Sequence, residues 1–215
     1  MKALKRLLIF FILLITIVIV GSIVMIKSVA VNTTDADLPE LIYNSSDDLL
    51  TTAQLSLLGL PFASSDDQYT IIEDFMNYII LDSIRTNIND AYDPLGDLAS
   101  SDANYVIYDN GFFIDYVFAT LNDDNQIVVC ISFGTDKIMP SRSAIYLYFD
   151  VEVNIGILEL SIVLTLDEYH IADKNLSFRM LDYMFTKLDK TSIEDNMTFG
   201  VLDLEAYTYT IELVN

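Results

Sequence analysis

The sequence predicts an α+β fold: an N-terminal transmembrane helix followed by a long curved antiparallel β-sheet covered by two helices. Three observations carry this prediction. An uncharged apolar stretch opens the chain, helical spacing of apolar residues recurs in two later segments, and around those segments the hydrophobic period drops to two. The order helix, several strands, helix, strand is expected when helices cover one apolar face of an antiparallel sheet.

The apolar stretch "LLIFFILLITIVIVGSIVMI", Leu7 to Ile26, contains no charged residue. At about 1.5 Å rise per residue it spans roughly 30 Å, the thickness of a bilayer's hydrocarbon core. Lys2, Lys5 and Arg6 precede it, whereas the first charges after Lys27 are Asp35, Asp37 and Glu40. The positive-inside rule therefore leaves the N-terminus in the cytoplasm and sends residues 28–215 outward, as a single-pass protein of the cell membrane. A cleavable signal peptide competes, because Ser28-Val29-Ala30 supplies small residues at the positions a peptidase reads. The apolar run exceeds the roughly 7–15 residues of a usual signal core, which favours an uncleaved anchor. No cysteine stands directly after the run, so a lipoprotein attachment at that point is excluded. The chain thus divides into a cytoplasmic tip and anchor (1–27), an acidic juxtamembrane spacer (28–66) and an extracytoplasmic α+β domain (67–215).

The formal net charge is −21, and without Lys2, Lys5, Arg6 and Lys27 the exported part keeps 7 basic residues against 32 acidic ones. Nucleic-acid binding needs a basic surface to neutralise phosphates, so it is excluded as a function class. Acidity of this degree serves solubility and disfavours an anionic membrane face. The single cysteine, Cys130, lies in "IVVCISF" and reads as a buried small hydrophobe in a domain without a disulfide.

In the spacer, Asp47 or Asp48 is placed to cap a short helix through Leu57 or Leu58, ended by Gly59 and Pro61. "YTIIEDFMNYIILDSIRTNI" carries Ile72, Phe75, Met76, Ile79 and Ile80 at helical spacing and predicts a helix over 68–87. Pro94 and Gly96 then break the pattern. In "NYVIYDNGFFIDYVFATL", Asn110-Gly111 separates two aromatic and β-branched runs. That is a hairpin signal pairing Ile107 with Ile114 and Tyr105 with Tyr116. "NDDN" makes the next turn and "QIVVCISFG" the third strand.

"AIYLYFDVEVNIGILELSIVLTLDE" is too long for one strand of roughly 3–10 residues. Its apolar positions are odd from Ile145 to Val153 and even from Leu158 to Leu166. A hairpin with an even-length loop pairs residues of opposite parity, so the phase change predicts a reversal at Ile155-Gly156; a β-bulge in one bent strand also shifts the phase, but five matched apolar pairs favour the hairpin. Val153 then faces Leu158, Val151 Leu160, Phe149 Ile162, Leu147 Leu164 and Ile145 Leu166, all on one face. This register sets Glu152 opposite Glu159, a repulsive pair. The second strand is expected to continue through "EYHIADKN" into a helix over "LSFRMLDYMFTKLDK", capped near Asn175 or Ser177. Tyr207, Tyr209, Ile211 and Leu213 alternate as a final strand.

Catalytic signatures are missing from the sequence. It holds no G-x-S-x-G, no H-E-x-x-H and no Gly-rich phosphate loop. His170, the only histidine, has no adjacent nucleophile, and paired aspartates fall in predicted turns and caps. "DADLPE" and "NDDN" lack the ordering of a calcium loop. The Asn-x-Ser/Thr sites at Asn32, Asn44, Asn175 and Asn196 matter only in a glycosylating host. The reading is therefore of a non-enzyme with no cofactor and no metal.

The anchor, the helix at "YTIIEDFMNYII", the hairpin "AIYLYFDVEVNIGILELSIVL", the segment "YHIADKNLSFRMLDYMF" and the closing "TFGVLDLEAYTYTIEL" together resemble the YpmS-like membrane-anchored extracytoplasmic proteins of Gram-positive bacteria. The resemblance runs over residues 68–215 in order and pattern. It implies a long curved sheet with helices, similar to tubular lipid-binding folds, and brings no catalytic residues. The first functional expectation is thus a tethered module holding a lipid or other apolar ligand against Leu147, Phe149, Val151, Leu160, Ile162 and Leu164. The second is an envelope interaction or scaffold protein that uses its acidic surface or a sheet edge.

Overall fold

Among the described residues, two α-helices and eight strands build the fold. In the computed structural model the described residues are 43–95, 104–136, 141–155, 160–171, 174–175, 200–203 and 205–214. The expected anchor at 7–26 and the expected helix over "LSFRMLDYMFTKLDK" lie outside them. Among the described residues no helix is long and apolar enough to cross a membrane.

Helix α1 spans Ser46–Leu57, and its N-cap is Ser45, whose side chain accepts from the Asp48 amide. The expected cap at Asp47 or Asp48 is thus displaced to a serine, and both aspartates sit in the first turn, where they complement the helix dipole. A 3₁₀ turn, Leu60–Phe62, follows around Pro61. Helix α2, Ser65–Asn87, starts earlier than its apolar spacing indicates because Ser64 caps it and accepts from the Asp67 amide. Asp74 ties the helices together, since its buried carboxylate accepts from the hydroxyls of Tyr43 and Ser56. Tyr43, Leu49, Ala53 and Leu60 are buried, so this end of the acidic spacer contributes to the core.

The strands are β1 Ile107–Asp109, β2 Phe112–Leu121, β3 Ile127–Thr135, β4 Ser141–Ile155, β5 Leu160–Ile171, β6 Lys174–Asn175, β7 Val201–Asp203 and β8 Thr208–Val214. They form one antiparallel sheet in the order β1-β2-β3-β4-β5-β8-β7, with β6 also on β5. Asn110 and Gly111 both have positive φ, 51° and 84°, the requirement of the tight turn expected there. Ile107 pairs with Ile114 as expected, but Tyr105 does not pair with Tyr116. A bulge between Ile114 and Tyr116 breaks the register, and the ladder from β1 stops at Ile114.

The β4–β5 hairpin exists and its parity is as expected, but its register differs. Val153 pairs with Ile162, Val151 with Leu164 and Phe149 with Leu166, four positions further along β5 than the sequence pattern indicates. An even displacement leaves every side chain on its own face, which is why apolar alternation alone does not discriminate between the two registers. The observed one sets Glu152 opposite Val163 and so removes its pairing with Glu159. A bulge opposite the Tyr148–Phe149 step admits Asp167 as an extra residue, and Leu147 then meets Tyr169 instead of Leu164. Rather than running on through "EYHIADKN", the chain reverses after Ile171, and Lys174 pairs back with Ile171. Tyr207 occupies the turn before β8 with φ 55° and is not part of the strand.

The main core lies between α2 and one face of this sheet. Ile72, Phe75, Met76 and Ile79 cluster with Ala119, Ile127, Val129, Leu160, Ile162, Leu164, Tyr209 and Ile211. A second cluster on the reverse side of β2 joins Leu49, Leu81, Ile84 and Tyr92 to Phe118 and Val106. Phe118 and Ala119 are neighbours on β2 and point to opposite faces, so α2 straddles the edge of the sheet and serves both clusters.

Candidate functional site

The six residues expected to line an apolar groove lie on a single face but are not equivalent. Leu160, Ile162 and Leu164 are buried in the main cluster, with Ile162 at 0% exposure. Leu147, Phe149 and Val151 pack against that cluster and stay half-buried. The β5 half of the expected lining is therefore filled core, and only the β4 row keeps any exposure.

Straddling the edge requires a device that no apolar pattern reveals. Strand β1 covers β2 only at residues 112–114, so the outer edge of β2 beyond the bulge has no strand partner among the described residues. Asn77 fills that place. Its side-chain amide donates to the Ala119 carbonyl at 2.9 Å and accepts from the Ala119 amide at 2.7 Å, at 1% exposure. One helical turn earlier, the Glu73 carboxylate faces the Leu121 amide and the Thr120 hydroxyl. Four helical residues rise about 6 Å and two strand residues about 6.6 Å, so Glu73 and Asn77 keep step with Leu121 and Ala119.

Burial is the largest influence on Glu73 and raises its carboxyl, helped by Asp74 and opposed by the Leu121 amide and Thr120. The folded chain then holds this proton to higher pH than the unfolded chain does. Stability from this site is fully present below the unfolded carboxyl's range and is lost as pH rises through the folded one. In Glu73→Gln, whose amide oxygen still accepts from Leu121, the gain in urea midpoint over the parent grows from near zero at about pH 3.5 to a positive value at about pH 7.

Polar groups also cluster on the reverse face. Arg142 bridges to the bulge residue Asp115 at 2.9 Å and donates from Nε to Ser132 Oγ at 2.8 Å. Cys130 is fully buried beside them, and burial pushes its thiol up to about 12. Alkylation of native protein by iodoacetamide should accordingly run at least about 100-fold slower than in urea, and fast native labelling would contradict the burial. His170 sits near the end of β5 with its ring 4.8 Å from that of Tyr148. Its Nε2 is 3.4 Å from a Glu168 oxygen without forming a hydrogen bond, so the contact is an ion pair only when the ring is protonated. No nucleophile is paired with it in the contacts described.

A cleft of about 810 Å³ opens between the end of α2 and β1. Ile88, Asn89, Asp90 and Ala91 form one wall, residues 105–108 the other, and Asp136 closes the end. Asn89 holds the walls in place by donating to the Tyr105 carbonyl at 2.7 Å. The Tyr105 ring lies 5.1 Å from Tyr108 and 5.6 Å from Phe113, giving an aromatic shelf. Tyr108 donates to Asp136 at 2.7 Å, and that bond is the largest cause raising its phenol. Ile88, Ile107 and Tyr108 are exposed at 55%, 39% and 49%, so apolar surface faces the opening. The volume falls in the range of ligand pockets, about 300–1,000 Å³.

No family model, curated protein or solved structure matches this chain. The site is therefore read from its own chemistry. Two carboxylates, Asp90 and Asp136, and two tyrosines, Tyr105 and Tyr108, line the cleft, and the described lining includes no basic side chain. Such a lining favours a cation, through charge and through the ring faces, and disfavours an anion. Sequence reasoning missed the cleft because Asn89, Tyr105 and Asp136 come from three separated segments. The one available signal was Tyr105 and Tyr108 in the segment leading into the Asn110-Gly111 turn.

Proposed function

We propose that this chain is a membrane-tethered extracytoplasmic binding module whose ligand or envelope partner occupies the β1 cleft with a positively charged group beside an apolar one. The observation that carries this reading is the cleft itself, where exposed Ile88, Ile107 and Tyr108 adjoin Asp90 and Asp136. Tethering rests on the uncharged stretch at 7–26, and the acidic exported chain suits a cationic partner. The YpmS-like resemblance belongs to the same proposal, supported by the order of a helix followed by an antiparallel meander and a long hairpin. A second reading keeps a lipid or other apolar ligand along the sheet, favoured by the half-buried β4 row of Leu147, Phe149 and Val151.

Photocrosslinking in the host separates the two. A crosslinkable residue at Ile107 should capture a partner that is lost on Asp136→Asn with Asp90→Asn, while one at Val151 captures none. Capture of lipid from position 151 with nothing at 107 would replace the first reading by the second.

A further inference from the structure

Helix α1 turns Ser46, Leu49 and Ala53 to the interior, and Leu60 beyond it is buried as well. Away from that face, Leu55, Leu58 and Phe62 are exposed at 66%, 76% and 90%, the most exposed large hydrophobic residues among those described before α2. Leu55 and Leu58 are one turn apart, and the 3₁₀ turn carries Phe62 past the helix end with exposed Pro61 beside it. Packing among the described residues does not account for these exposed apolar side chains.

We propose that Leu55, Leu58 and Phe62 form a wedge that enters the interfacial layer of the lipid bilayer to which the chain is tethered. The inference rests on reading residues 7–26 as an anchor. Residues 28–42 then join the bilayer to Tyr43, with an extended reach of roughly 50 Å. Ser46 bonds Asp93 and Ser56 bonds Asp74, so α1 runs antiparallel to α2 and its far end lies only about 18 Å from its start. The corner is well within reach of the membrane. Three side chains fall far short of the roughly 20–30 residues each partner gives a stable protein interface, which disfavours a second copy or another protein as the occupant. A bilayer already linked to the chain requires only weak contact, because the tether keeps the local concentration of lipid high. Asp66 and Asp67, exposed in the first turn of α2, confine the wedge to the headgroup region. Docked this way, the domain carries its cleft at the opposite end of α2, away from the lipid.

The chain contains no tryptophan, so Phe62→Trp installs a single indole. The full chain is placed in phosphatidylcholine vesicles with and without doxyl-labelled lipid, and Ile88→Trp serves as the control at the other end of α2. Quenching of about two-fold or more at position 62 is expected, with little at position 88. Adding Leu55→Ser and Leu58→Ser should bring position 62 to the control level while leaving the thermal midpoint unchanged, since both side chains are exposed. Quenching at 62 no greater than at 88, in protein that floats with the vesicles, would overturn the wedge alone. Failure of the full chain to float would overturn the anchor and the wedge with it.

Discussion

Asn77→Ala should lower the stability of the domain by about 2–4 kcal/mol, because it strands two buried backbone groups at once. The Ala119 amide and carbonyl have the Asn77 side chain as their partner at the open edge of β2. Alanine neither donates nor accepts, and the site is closed to solvent at 1% exposure. Asn77→Asp distinguishes this account from a simple loss of packing. Aspartate keeps an acceptor for the amide but turns a charged oxygen toward the carbonyl, so it should be at least as damaging near neutral pH. At low pH the protonated carboxyl donates again, and much of the stability should return. Urea titrations of both variants measure the effect, and a loss below about 0.5 kcal/mol for Asn77→Ala would show that the edge is satisfied in another way.

The second large effect is expected at Ile162. It pairs with Val153 and Ile211 and is fully buried in the main cluster. Ile162→Ala should cost about 3–4 kcal/mol, the range for a large aliphatic truncated in a filled core. Val151→Ala, at a half-buried position of the same face, should cost about 1 kcal/mol. The contrast bears on function as well as stability. A residue that lines an occupied groove stabilises mainly through its ligand, so its truncation changes the ligand-free domain little. Equal and small losses at both positions would therefore revive the groove at the β5 half of the face.

Much of the fold was legible in local pattern. Asn110-Gly111 defined its turn because only residues tolerant of positive φ fit there, and the phase change between Val153 and Leu158 pointed to a reversal rather than to one bulged strand because a hairpin keeps the apolar side chains of both halves on one face. Register was not legible, since sliding β5 by an even number of residues conserves every buried side chain. What decided it were features without periodicity: the avoided pairing of Glu152 with Glu159, and the bulge that admits Asp167.

By itself the sequence determined the class of architecture, the apolar faces, the acidic character and the uncharged stretch at 7–26, all of which are properties of neighbouring residues or of composition. Only the tertiary structure decided that α2 closes the edge of β2 through Asn77 and Glu73, and that Ile88, Tyr105 and Asp136 meet in one cleft. Such contacts join residues dozens of positions apart. They depend on where the chain returns in space, and no local spacing encodes that.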